Sequence, residues 1–199
     1  MKKAIAILAV LSLAAFAGQI VIDLPVAEND ADWLEYDDGT AAWLTWGGMY
    51  RGVWFNIEDF APGATGASIE QSQFWFYHHS SYPWDTSDVY LEIWNGDAMG
   101  PTAQLDQTMV TAVHYNPVYA TYSTPLIVEA NFWALANTEM SAGGWPAILG
   151  DGTAGVHSFF SDDFIVWEPW GDMGDYFVRI HVIPDAIDNT TWGSLKATF

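Results

Sequence analysis

The strongest constraint on the fold of this chain is a two-residue alternation of apolar and polar side chains. Apolar residues occupy every second position of residues 88 to 94, and residues 50 to 57 and 175 to 183 alternate in the same way. Successive side chains of a β-strand point to opposite faces, so this pattern predicts strands with one buried face.

Clusters of Gly, Pro, Asn and Asp separate the alternating segments and predict turns between short strands. One such cluster, Asn95-Gly96-Asp97, is expected to end the strand that begins near residue 88. Helices are expected only at residues 131 to 140 and 190 to 199. Further strands are predicted near residues 20–26, 41–46, 67–78, 105–115, 125–133 and 156–167. The predicted fold is all-β, an antiparallel β-sandwich of jelly-roll type.

Residues 1 to 17 have the form of a secretory signal peptide. Lys2 and Lys3 precede an apolar run, and the small-residue triplet at 15 to 17 predicts cleavage after Ala17. Residues 18 to 199 are then expected to form a single domain with its own core, stabilised without disulfides because the chain has no cysteine. The expected location is secreted or cell-surface. No membrane-spanning segment is expected after removal of the signal.

The chain is strongly acidic, with 25 Asp and Glu against 5 Lys and Arg and a net charge of −20. Such a surface disfavours nucleic acid and anionic membrane as partners. A solubilising surface, an adaptation to salt and cation sites built from carboxylates all remain open as explanations. The first is favoured, because charged side chains are mostly exposed whatever the function.

Three segments carry a family resemblance. Residues 36 to 55 contain Tyr-Asp-Asp-Gly-Thr, then Trp-Gly-Gly and Arg-Gly-Val-Trp-Phe; residues 89 to 97 read Val-Tyr-Leu-Glu-Ile-Trp-Asn-Gly-Asp; and residues 175 to 180 read Asp-Tyr-Phe-Val-Arg-Ile. They resemble the start, the central strand and turn, and the last strand of a recurrent secreted domain of poorly characterised bacterial extracellular proteins. The resemblance implies an exported β-sandwich, often a module of larger surface proteins, and implies no catalytic residues.

Aromatic residues are abundant, with 12 Trp, 9 Tyr and 11 Phe. Most of these rings, including Trp43, Trp54, Trp75 and Trp133, are expected to fill the sandwich core. The exceptions lie between strand-breaking residues, where a ring can stack on the apolar face of a sugar. The candidate ligand-binding residues are Tyr82, Trp84, Trp145 and Trp170.

Pairs of Asp in turns are candidate cation ligands. Ca²⁺ binds carboxylate and carbonyl oxygens in flexible loops, so a structural Ca²⁺ is the candidate cofactor, although no EF-hand pattern is present. The candidate metal ligands are Asp37, Asp38, Asp85 and Asp88.

No nucleophile elbow, phosphate-binding Gly-rich loop or His-Glu-x-x-His motif is present in the sequence. No catalytic residue is assigned. The favoured function is a non-catalytic binding module for extracellular glycan or another surface polymer. The alternative is a structural or adhesive surface protein that assembles with itself or with envelope proteins. A glycoside hydrolase, which would need two carboxylates facing each other across a cleft, is the least favoured.

Overall fold

The alternating segments pair into two antiparallel sheets. A computed structural model describes residues 18–19, 33–45, 47–77, 88–141 and 144–183. Two short 3-10 turns, Ile57–Asp59 and Gly171–Met173, accompany the strands in these ranges. The strands are β1 (Gly18–Gln19), β2 (Trp33–Leu34), β3 (Ala41–Thr45), β4 (Tyr50–Asn56), β5 (Gly66–Tyr77), β6 (Asp88–Asp97), β7 (Gly100–Thr111), β8 (Pro117–Glu129), β9 (Asn131–Asn137), β10 (Ala147–Asp151), β11 (Ser158–Ser161), β12 (Glu168–Pro169) and β13 (Val178–Val182).

One sheet has seven strands and the other has six. The seven-stranded sheet has the order β1-β3-β10-β5-β13-β2, and β8 pairs with the opposite side of the long strand β5. The six-stranded sheet has the order β12-β11-β4-β9-β6-β7. The predicted all-β antiparallel sandwich is therefore confirmed, and its jelly-roll connectivity stays a prediction.

The main core lies between the two sheets and is built from the inward positions of alternating strands. Val53 of β4, Leu91 of β6 and Ile180 of β13 are all fully buried there. Each belongs to a segment whose alternation predicted this side as apolar. Burying an aliphatic side chain of this size contributes roughly 1.5–3 kcal/mol, so each of these inward positions stabilises the fold.

Two smaller apolar clusters lie on the outer faces of the sheets. Trp75 packs against Trp145 and Phe177 outside the seven-stranded sheet, and Trp133 packs beside Trp54 outside the six-stranded sheet. The expectation that these rings fill the core between the sheets is therefore wrong for Trp75, Trp133 and Trp54, and Trp43 is only half-buried. Outward positions are apolar here because loops and neighbouring rings cover the outer faces.

The helix predicted at residues 131 to 140 is wrong. This segment forms β9, which pairs with β4 on one side and β6 on the other. Every residue from Phe132 to Asn137 is buried. A strand covered on both faces has no polar alternation, and its Leu and Ala are good helix formers, so local sequence favours the wrong element.

The turn predicted at Asn95-Gly96-Asp97 lies two residues too early. β6 continues through Asp97, which pairs with Gly100, and Ala98 and Met99 form the turn. A Cβ at Gly96 would lie 2.4 Å from the Gly100 carbonyl oxygen. Glycine is required there for close backbone approach within the strand pair, and not to break the strand.

The signal peptide, the strand predicted at residues 20 to 26 and the helix predicted at 190 to 199 lie outside the described residues. In the part of the chain that is described, no helix has the length and apolar character needed to cross a membrane.

Candidate functional site

Of the four loop aromatic residues predicted to bind ligand, two lie within the described residues. Tyr82 and Trp84 lie outside the described residues. Trp145 is 7% exposed and packs in the cluster of Trp75. Trp170 is half-buried against the main core, and its Nε1 is buried with no hydrogen-bond partner in the described structure. Both described rings therefore pack mainly against protein, and their role in binding stays a prediction.

Asp37, one of the predicted metal ligands, is held by a cation of the protein itself. The guanidinium of Arg179 donates to both of its carboxylate oxygens, with Nη2–Oδ1 and Nε–Oδ2 distances of 2.6 and 3.0 Å. The Asp37 side chain is fully buried and that of Arg179 is 7% exposed. A two-point charged contact of this kind is strong and directional, and it uses the oxygens that a metal would need.

The other predicted metal ligands do not share one place. Asp38 accepts hydrogen bonds from the Thr40 N–H and the Thr153 hydroxyl, whereas Asp88 accepts from Thr111 in the six-stranded sheet. Asp85 lies outside the described residues. Among the residues that are described, no three of His, Cys, Asp and Glu are grouped so as to hold a metal ion. Calcium binding stays a prediction.

A cleft with a partly exposed aromatic ring lies on the outer face of the seven-stranded sheet, where β2, β13, β5 and β8 run side by side. Register pairs Trp33 with His181, His181 with Gln71, and Gln71 with Thr121, so one side chain from each strand stands in a row. The cleft has a volume of about 420 Å³. We call it the groove; its lining residues are Trp33, Glu70, Gln71, Thr121, Tyr122 and His181.

The groove combines one large ring with a few fixed polar groups. The Trp33 ring meets the His181 ring edge to face, with centroids 4.9 Å apart. His181 Nδ1 lies 2.9 Å from Glu70 Oε1, which fixes the imidazole beside the indole. Gln71 donates through Nε2 to the Thr121 hydroxyl at 2.9 Å, and its carbonyl oxygen has no protein partner within the described ranges. That oxygen and the Thr121 hydroxyl proton are available to a ligand.

A second row of polar and aromatic side chains extends the same face. Gln73 donates to the Tyr119 hydroxyl at 3.0 Å, and its carbonyl oxygen accepts from Trp75 Nε1 at 3.2 Å. Tyr119 is 43% exposed. The Gln73 carboxamide is held at both ends and cannot rotate freely, so it fixes the Tyr119 hydroxyl next to the groove. Because these side chains are already ordered, they lose little conformational entropy when a ligand binds.

Carboxylates outnumber cations around the groove. Arg179 forms ion pairs with Asp37 and, at 3.0 Å, with Glu35. Burial raises the pKa of Glu35, and the neighbouring guanidinium opposes that shift. Glu70 Oε1 contacts His181 Nδ1. Among the described residues, this face therefore offers a ligand no unpaired cation.

The segment that supports β2 is anchored by a buried carboxylate. Asp151 accepts from the backbone N–H groups of Asp38 and Asp175, both at 2.9 Å. It is 1% exposed, and burial raises its pKa to about 6. Burial also raises the pKa of Asp175. These contacts tie residues 37 to 40 to the sheet and so fix the strand that carries Trp33.

The outer face of the six-stranded sheet holds a different buried acid. Glu92 is 2% exposed and accepts from Trp94 Nε1, Gln107 Nε2 and Asn137 Nδ2 at 2.7 to 2.9 Å. Both carboxylate oxygens of Glu92 accept from protein N–H groups, so this residue orders its neighbours and offers a ligand no unpaired acceptor.

Sequence reasoning missed every lining residue of the groove. The alternation of residues 175 to 183 put His181 on the polar face, and residues 67 to 78 were correctly predicted as a strand. Trp33 lies in a two-residue strand that no local pattern indicates, and it meets His181 across 148 residues of chain. The groove can be recognised only once the pairing of β2 with β13 is known.

Comparison with known proteins does not identify the chain, because no protein-family model, curated protein or solved structure matches it.

Proposed function

We propose that the protein is a secreted, non-catalytic binding module that holds a neutral extracellular polysaccharide in the groove. The observation that carries the proposal is the row of Trp33, His181, Gln71 and Thr121, in which a partly exposed indole stands beside hydrogen-bonding groups of fixed orientation. Binding sites for small ligands combine apolar contact with a small number of placed polar groups.

The chemistry of each group suits a sugar. The apolar face of a pyranose ring packs on an aromatic ring, and its hydroxyls exchange hydrogen bonds with amide, hydroxyl and imidazole groups. The Gln71 carbonyl accepts, the Thr121 hydroxyl donates, and Tyr119 extends the contact along the sheet. An open cleft on the face of a sheet accommodates a chain that continues beyond both ends.

The charge of the site favours a neutral polymer. An acidic polysaccharide would meet a protein of net charge −20, and Arg179, the nearest cation among the described residues, is already paired with two carboxylates. A hydrolase acting through two carboxylates needs both in the cleft. Glu70 is the carboxylate in the described lining, and it is bound to His181. The geometry therefore supports binding better than hydrolysis.

Isothermal titration of the chain with soluble β-glucan, xylan and mannan tests the proposal. We expect at least one neutral polymer to bind, Trp33→Ala to weaken binding about tenfold or more, and Trp33→Phe to retain most of it, because ring stacking and burial together contribute about 1–3 kcal/mol. Met109→Ala, an exposed position on the other sheet, is the control. Failure of all three polymers to bind, or unchanged binding by Trp33→Ala, would refute the proposal.

The alternative function, self-assembly at a surface, has one specific observation in its favour. β7 and β8 span 12 and 13 residues, and in the described chain each pairs along only one side, with β6 and β5 respectively. Neither contains Lys or Arg, which commonly guard exposed edges. Sedimentation velocity over a range of salt concentrations tests this candidate. A monomer at every concentration would argue against it.

A further inference from the structure

The segment between β11 and β12 presents two aliphatic side chains to solvent. Residues 162 to 167 cross the outer face of the six-stranded sheet, and Phe164 and Trp167 pack down onto the cluster of Trp133. Ile165 and Val166, between them, point outward and are 81% and 58% exposed. The packing of Phe164 and Trp167 thus fixes the position of two apolar side chains that are mostly exposed to solvent.

Local hydrogen bonds hold this segment in one conformation. Asp163 Oδ1 accepts the backbone N–H of Ile165 at 2.8 Å and of Val166 at 3.0 Å, and these bonds lower the pKa of Asp163. The Ser161 hydroxyl oxygen accepts the Phe164 N–H at 3.0 Å. The segment is an ordered turn whose shape is set by its own side chains.

Phe164 adopts a left-handed backbone conformation, with φ +63°. For a bulky residue without the freedom of glycine this conformation is strained, and such strain concentrates at functional positions. The strained residue thus lies directly before two apolar side chains that are held in solvent.

A third apolar side chain lies close to this turn. A Cβ added to Gly100 would lie 3.0 Å from Trp167 Cδ1, so the β6–β7 turn abuts the same tryptophan. Met99, immediately before Gly100, is 84% exposed. We call Met99, Ile165 and Val166 the apolar tip. The exposed carboxylates of Asp97, Asp162, Asp163 and Glu168 surround it along the chain.

We propose that the apolar tip is a docking surface for another protein, one that presents an apolar patch flanked by Lys or Arg. The apolar side chains call for an apolar partner surface, and the surrounding carboxylates call for positive charge. A second copy of this chain fits poorly, because Arg51 and Arg179, its cations in the described residues, are buried and the copy is itself strongly acidic.

The tip and the groove lie on opposite sheets of the sandwich. A partner bound at the tip would leave the groove open, so the protein could bind a glycan and a second protein at the same time. The docking proposal rests on its own observations and does not depend on glycan binding.

A synthetic amphipathic helical peptide of leucine and lysine, which presents an apolar stripe between ammonium groups, is the probe. We expect the double variant Ile165→Ser, Val166→Ser to bind it about tenfold more weakly than wild type by fluorescence anisotropy, because two aliphatic side chains no longer become buried. Ile127→Ser removes an aliphatic side chain that is 72% exposed on the other sheet, and it should bind like wild type.

The two substituted sites are exposed, so unfolding is not expected, and thermal melting of each variant verifies this. Three outcomes would overturn the proposal: no binding of the peptide to wild type, equal affinity of wild type and the double variant, or an equal loss in Ile127→Ser. A matched peptide of leucine and glutamate should fail to bind. Equal binding of that peptide would also contradict the proposed charge preference.

Discussion

Replacing Asp37 by Ala should destabilise the protein more than any comparable change at its surface. The Asp37 side chain is fully buried and accepts hydrogen bonds from Nη2 and Nε of Arg179 at 2.6 and 3.0 Å. Arg179 is itself 7% exposed, so removing the carboxylate leaves a positive charge with little access to water. The expected cost comes mainly from that uncompensated charge.

Breaking one side of a buried pair costs about 3–5 kcal/mol. The lower end applies here, because Glu35 lies 3.0 Å from Arg179 Nε and retains part of the attraction. A loss of about 3 kcal/mol corresponds to roughly 6–12 °C in melting temperature for a domain of this size. Glu35→Gln is the matched control. Its side chain is 32% exposed, so the loss should stay near 1 kcal/mol or less.

Urea unfolding followed by tryptophan fluorescence measures both variants at pH 7. The double variant Asp37→Ala, Arg179→Met should recover part of the loss, because the orphaned charge is removed with its partner. If Asp37→Ala costs less than about 1 kcal/mol, or if the double variant is less stable than the sum of the single changes predicts, the assignment of Asp37 as a buried counter-ion would be refuted.

Three further predictions concern pH, a buried acid and a glycine. The pKa of Asp151 in the folded protein, about 6, lies above the ordinary 3.8, so the folded state binds this proton more tightly than the unfolded state. Urea midpoints should therefore fall as pH rises from about 4 to about 6, and Asp151→Asn should flatten that slope; an unchanged slope would contradict the assignment. Glu92→Gln replaces an acceptor of three N–H groups with a side chain that must present its own donor, and should cost about 1–3 kcal/mol in urea unfolding; a neutral effect would show that those bonds do not stabilise the fold. Gly96→Ala brings a Cβ within 2.4 Å of a backbone oxygen and should cost about 1–3 kcal/mol, whereas Gly63→Ala, where a Cβ meets nothing within 4 Å, should cost less despite its φ of +85°. Equal melting temperatures for these two glycine variants would contradict the close strand approach.

The fold was largely predictable because half-buried strands leave a local signature. The inward residues of β4, β6 and β13 follow the alternation directly, since each of these strands has one face in the main core. β9 was not predictable in the same way, because it is covered on both faces and its composition favours a helix. β10 was missed because it is buried along its whole length and so has no alternation of apolar and polar residues.

The groove was not predictable, because it depends on pairing between distant segments. Trp33 becomes part of a site only when β2 joins β13, and Gln71 only when β5 lies between β13 and β8. Loop position suggested instead that Trp145 would be available to ligand, yet it packs onto the outer face of a sheet. The outer face of a sheet can be apolar wherever a loop covers it, and the local sequence does not show which faces are covered.

The groove's role is tested most directly by mapping where a neutral polysaccharide fragment perturbs the protein. In two-dimensional NMR spectra of the isotope-labelled chain, we predict that titration with a bound oligosaccharide shifts the Trp33 indole N–H, the Gln71 carboxamide and the backbone amides of His181 and Thr121. Resonances of Met99, Ile165 and Val166 on the other sheet should stay unchanged. Shifts confined to any other surface, or no shifts with oligosaccharides of all three neutral polymers, would contradict the account.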